Sequence, residues 1–238
     1  MAAFAGFPPE GITFLRQLKR NNNREWFQAR KPVFEEKVKE PMTALVSQLN
    51  AHLARTAPEF ITDPKRAIYR FYRDTRFSND KTPYKTHIAA LFVHRGLDKH
   101  ASASLYCAIS PDGLDIAGGV YMPQPEQLLL LRTLLAGHHK DFDRLTTSKQ
   151  FARLMGTLQG SQLSRIPKGF DAAHPAADLL KRKQWYFFAK LDAAIATSPK
   201  LVKELTARFD VMQPFLAFMN APLVEEKKKQ IKRSAFSA

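Results

Sequence analysis

The chain has 238 residues, 45% of them apolar, with 18 phenylalanines and one cysteine; 37 Lys+Arg against 22 Asp+Glu leave a formal charge of +15. That apolar share is enough for a core of ordinary size, and the lone Cys107 excludes an internal disulfide. No apolar run is long enough to cross a bilayer, because residues 128–135 are interrupted by Arg132. Residues 1–11 lack the basic start and long apolar stretch of a signal peptide, so the expected compartment is a reducing cytoplasm. The positive balance favours polyanions or small anionic ligands as partners.

Residues 11–20 predict a short helix with Ile12, Phe14, Leu15 and Leu18 inward. Asn21-Asn22-Asn23 interrupts it and offers an N-cap for a second helix over residues 24–31. Pro32 suits the first turn of a third, in which Phe34, Val38, Met42, Leu45, Leu49 and Leu53 recur at helical spacing. Pro41 should kink or split that helix. Residues 56–64 form a loop. Residues 68–73 predict a strand, from their shortness and aromatic content, although a helix would align Arg66, Arg70 and Arg73 on one side. Residues 74–85 read as a long ordered loop.

Residues 88–93 are apolar on both faces, as in a central strand. After a turn, Ala103, Leu105, Cys107 and Ile109 alternate with Ser102, Ser104, Tyr106 and Ser110, a half-buried strand. The turn S-P-D-G at 110–113 leads into another strand over 114–121, completing an antiparallel meander. Within it, Gly118-Gly119 marks a bulge or a close approach to the backbone. Pro125 starts a helix that Gly137 should end, with short helices at 139–145 and 149–158 and a loop at 160–174. Residues 185–191 predict one more strand. Ser198-Pro199 opens a helix with Leu201, Leu205, Phe209 and Met212 inward. The charge run from about residue 225 reads as a solvated helix end or a mobile basic tail. The expected fold is a single α+β domain over residues 1–238: an antiparallel sheet of about four to six strands with helices from both termini packed on it.

The chemistry concentrates in residues 66–87, R-A-I-Y-R-F-Y-R-D-T-R-F-S-N-D-K-T-P-Y-K-T-H. Arg66, Arg70, Arg73, Arg76, Lys81 and Lys85 face only Asp74 and Asp80, interleaved with Tyr69, Phe71, Tyr72, Phe77 and Tyr84. With N-N-N-R-E-W-F at 21–27, G-G-V-Y-M-P at 118–123 and H-P-A-A-D-L-L-K-R-K at 174–183, the run R-D-T-R-F-S-N-D-K-T-P-Y-K-T at 73–86 resembles a family of conserved hypothetical proteins, bacterial and fungal, defined as a domain of unknown function. The similarity spans roughly residues 14–215. It implies membership and carries no activity with it.

Arginine offers a rigid fork matched to phosphate or carboxylate, and lysine a mobile point charge. Arg70, Arg73, Arg76, Ser78, Lys81, Tyr84 and Lys85 are therefore the candidate contacts for an anionic, phosphate-bearing small molecule. Tyr106, Gly118, Gly119, Tyr121 and Arg182 are placed along the same cleft. The competing reading is an internal clasp in which Asp74 and Asp80 bind the arginines. Asp80 and His87 are the acid–base candidates, while Ser78 lacks the setting of a nucleophile. The histidines lack metal-ligand spacing, no cofactor loop is present, and no reaction is named by the pattern. A nucleic-acid-binding accessory protein is the alternative, since arginines mixed with rings suit phosphate contact and base stacking.

Overall fold

Prolines and asparagines set the helix boundaries. The computed structural model describes residues 4–236; residues 1–3 and 237–238, the end of the expected basic tail among them, lie outside the described residues. Helix α1 (Pro9–Arg20) buries Ile12, Phe14, Leu15 and Leu18 as its spacing requires. The three asparagines then do three different things. The Asn21 side-chain amide donates to the Gln17 carbonyl at the end of α1. Asn22 grips the backbone of Tyr84, donating to its carbonyl at 2.9 Å and accepting from its N–H at 3.1 Å. Asn23 caps α2 (Arg24–Ala29) by accepting from the Trp26 N–H.

The stripe Phe34–Val38–Met42–Leu45–Leu49–Leu53 is buried throughout, but three pieces carry it: α3 (Lys31–Phe34), a π-helical turn (Glu35–Lys39) and α4 (Glu40–Thr56). Pro41 has no N–H for the carbonyl four residues back, so the chain takes a wider turn and restarts with that proline in the first turn of α4. The expected kink is thus a π turn that leaves the apolar stripe in register.

The sheet is the expected meander. Strands β1 (Ile88–Phe92), β2 (Ser104–Ser110), β3 (Gly113–Val120) and β4 (Trp185–Leu191) lie in the order β1-β2-β3-β4, all antiparallel. Two expectations are corrected. The both-sided apolar strand β1 is an edge strand, not a central one. The segment 68–73 is no continuous strand: it divides its pairing, with Ile68 bridged to Ala90 and Tyr72 bridged to Tyr84. The Tyr69 N–H donates to the Ala89 carbonyl, so this extended segment covers the free edge of β1 and its apolar residues stay buried.

Strand parity sorts the sheet into two faces. Phe92, Leu105, Cys107, Ile116 and Phe187 point to one face and are buried there, on α9 (Leu201–Phe236). Phe209 meets Phe92 at 5.6 Å between ring centroids, and Phe215 meets Phe187 at 5.3 Å. Short helices α5 (Pro64–Ala67), α7 (Lys149–Met155) and α8 (Ala177–Lys181) and the long α6 (Pro125–Thr146) complete the layer. As expected from Gly137, the first part of α6 gives out there: the helix breaks at His138 (φ −133°, ψ 30°) and resumes to Thr146. The basic run after Leu223 continues α9 as helix and is largely exposed.

A buried amide ties α9 to the sheet. Asn220 accepts from the Ala103 N–H at 2.8 Å and donates to the Ala103 carbonyl at 2.9 Å, satisfying both polar groups of a residue with no exposed surface. Asn220→Ala strands those two groups and removes the amide. Urea unfolding of this variant is expected to show a loss of about 2–6 kcal/mol, from roughly 1–3 for each of the two unpaired buried groups.

Candidate functional site

On the second face of the sheet the side chains leave a hollow. Register aligns Leu91, Tyr106, Ala117 and Phe188 in one row and Ser104, Gly119 and Tyr186 in the next. The small residues of β3 sit between larger neighbours, and a cavity of about 460 Å³ opens above them. That volume suits a small organic ligand.

One wall comes from outside the sheet. The parity of β1 extends upstream: Tyr84 and Ile88 point to the core while Lys85, His87, Ala89 and Leu91 line the cavity. Tyr69, held beside β1 by its backbone bond, stands over the same space. Its ring lies 5.0 Å from the Lys85 ammonium and 4.5 Å from that of Lys99. His100 stacks on it at 5.8 Å, and the Tyr69 hydroxyl meets His100 Nδ1 at 3.3 Å. Burial lowers the Lys85 ammonium below its ordinary value, and Arg70 and Lys99 push it further. Lys99 is lowered likewise by burial and by Arg66. Burial and Lys85 together hold the His87 imidazole low, hence neutral, near pH 7. The Tyr69 phenol is raised to about 12 by burial alone.

The arginines named from the sequence go elsewhere. Arg73 donates to Asp80 and to Thr82 Oγ1, and that guanidinium holds the Asp80 carboxyl down at about 2. Arg76 grips Asp74 with two nitrogens at 3.0 and 2.8 Å, Arg70 approaches the same carboxylate at 3.6 Å, and Lys81 donates to the Thr75 carbonyl. An acid as low as Asp80 is ionised and a weak base at neutral pH, so its geometry is that of a loop clasp. Ser78 sits in the turn above Thr75. Tyr84 is 1% exposed, and its ring stacks on Phe27 at 4.1 Å. Arg73, Asp80, Thr82 and Tyr84 border a shallower groove that meets the cavity at Lys85 and His87.

Of the remaining expected contacts, Tyr106, Gly118, Gly119 and Tyr121 line the cavity, and Arg182 does not: it reaches the Gly160 carbonyl at 3.4 Å. The two glycines keep the ladder in register without a bulge. A Cβ on Gly118 would overlap Met212 Sδ of α9, and one on Gly119, at φ +131°, would overlap the Trp185 carbonyl. Close approach, not pairing disruption, accounts for both.

Sequence reasoning did not name as site residues Lys99, whose ammonium lies on the Tyr69 ring, or Tyr69, His100, Met122, Tyr186 and Phe188, which line the cavity. The parity of W-Y-F-F-A-K-L carried the last pair, because Tyr186 and Phe188 alternate with the buried Trp185 and Phe187. Nothing local marks Lys99 or His100, which a turn brings to Tyr69.

His100 has φ +71°, the one positive value among the described non-glycine residues. Its carbonyl accepts from the Met122 N–H at 3.1 Å, pinning the turn at the cavity mouth. Left-handed backbone costs a side-chain-bearing residue about 1–2 kcal/mol, so His100→Gly is expected to be more stable than His100→Ala by about 1 kcal/mol in thermal unfolding. Both lose the ring, and the difference isolates the backbone; equal stability would show that this turn carries no strain.

The model of a family described as "Conserved hypothetical protein (DUF2461)" matches residues 10–218, nearly the whole chain and both walls of the cavity. No curated protein and no solved structure matches it. The chain belongs to that family of conserved hypothetical proteins.

Proposed function

We propose that this family member binds a small molecule carrying a negative group in the cavity on the open face of its sheet. The observation that carries the reading is the Lys85 ammonium, which lines the cavity beside His87 and lies on the Tyr69 ring, with a second ammonium, Lys99, on that ring. The electrostatic influences on them are burial and other cations: Arg70 and Lys99 on Lys85, Arg66 on Lys99. Like charges held together with partial loss of water are costly, and an anion relieves that cost directly. His87 and His100 add groups that gain a proton when an anion arrives. A single buried cysteine is compatible with the reducing cytoplasm assumed for this role.

Sulfate, whose charge is constant near neutrality, serves as the probe. Calorimetric titration is expected to give saturable binding that weakens about tenfold to a hundredfold in Lys85→Met, the range for loss of a charged hydrogen bond. Arg144→Met, which removes a surface charge paired with Asp141 on α6, should bind as the parent does. Burial holds both histidines below their ordinary value in the free protein, and an anion raises them. Affinity should therefore rise as pH falls from about 8 to about 6. Non-saturable binding, or equal loss in the two variants, sinks the site.

A second reading rests on the tip of the motif loop. Phe77 is 95% exposed, the Arg76 guanidinium lies 5.7 Å from its ring, and Arg70 is also largely exposed. An exposed ring flanked by guanidinium groups suits a single-stranded nucleic acid. Fluorescence anisotropy with a labelled oligonucleotide should show binding that falls steeply with salt and weakens about fivefold to a hundredfold in Phe77→Ala. Absence of binding at low salt removes this reading.

A further inference from the structure

The two walls of the cavity differ in chemistry, and the strand order keeps them apart. On the β1 side stand Tyr69, Lys85, His87 and His100; on the side of β3 and β4 stand Tyr121, Tyr186 and Phe188. Three inter-strand spacings, about 14 Å, separate the backbones of β1 and β4. Between them β2 raises Tyr106 and Ser104 next to the β1 side, and only the β3 part of the floor, Ala117 and the backbone of Gly119, is flat, because neither carries a side chain beyond a methyl.

The far wall is made of rings at usable angles. Tyr121 and Tyr186 meet edge to face at 5.3 Å, and Phe188 keeps 40% of its surface exposed beside them. A flat floor next to tyrosine and phenylalanine edges matches a planar ring, which gains both burial and favourable ring–ring geometry. The geometry points to an aromatic anion as the ligand: its charged group lies at Lys85, and its ring lies over Ala117 and Gly119 against Tyr186 and Phe188. This rests on the anion-binding reading above and adds the class and orientation of the molecule. The exposed Tyr121 and Met122 at the mouth leave room for a substituent beyond the ring.

The test compares three probes on the full chain by calorimetry: inorganic phosphate, n-butyl phosphate and phenyl phosphate. Phenyl phosphate is expected to bind about tenfold or more tighter than inorganic phosphate, and tighter than the butyl ester, given the transfer gain of a buried ring. Phe188→Ala and Tyr186→Ala should each narrow the gap between phenyl and inorganic phosphate while leaving inorganic phosphate affinity unchanged. Phe188 is already partly exposed, so its truncation does not open the core. Phenyl phosphate no tighter than the other two, or a gap that both variants leave intact, overturns the inference while anion binding stands. No binding of any probe removes the anion-binding reading itself.

Discussion

Everything at the site depends on a strand alternation that begins before the strand does. From Ile88 to Phe92 the chain is a strand whose alternate residues are forced to opposite sides, and Tyr84, Lys85 and His87 keep the same side-to-side order across the bend at residues 86–87. Tyr84, Ile88, Ala90 and Phe92 are drawn into the core, which leaves Lys85, His87, Ala89 and Leu91 facing the cavity. The anchor is Tyr84: Phe27 stacks on its ring, and Asn22 holds its backbone at both polar groups. Phe71, itself 4.4 Å from Phe34, packs against the same ring group. Each such aromatic pair adds about 0.5–1.5 kcal/mol beyond burial. Two rings of the motif, Phe71 and Tyr84, are core, and the burial of Tyr84 is what aims a lysine and a histidine outward.

The charges separate by partner. Asp74 and Asp80 are taken up by arginines of their own loop, where exposure keeps the pairing weak in energy but sufficient to shape the turn. The two lysines near Tyr69 instead lie on its ring, and the Lys99 ammonium also donates to the Arg66 carbonyl. Arginines 73 and 76 are engaged within the loop, and the proposed anion site centres on Lys85, which lines the cavity. The protein's overall +15 sets a general attraction for anions and does not choose between those places.

The fold was legible where periodicity was strong. The helical stripe from Phe34 to Leu53, the meander and the strand at Trp185–Leu191 followed from spacing alone. What spacing could not supply was the place of β1, because apolar residues on both faces describe a strand covered by any means, here by the segment around Tyr69. The site was half legible. Lys85, Tyr106 and Tyr121, named from the sequence, line one hollow, since each lies on a readable strand face or beside one. The arginines misled because a linear count of six cations against two acids ignores geometry: two well-placed carboxylates engage three guanidinium groups. Lys99 and His100 enter through a turn whose backbone, at φ +71°, no propensity foretells for histidine.

The most direct test of the alternation and of the site it creates is a crystal structure grown with phenyl phosphate. The account predicts phosphate oxygens at hydrogen-bond distance, about 2.7–2.9 Å, from Lys85 Nζ, with the phenyl ring over Ala117 beside Phe188. A phosphate bound instead at Arg73 or Arg76, or Lys85 turned away from the cavity, would contradict it.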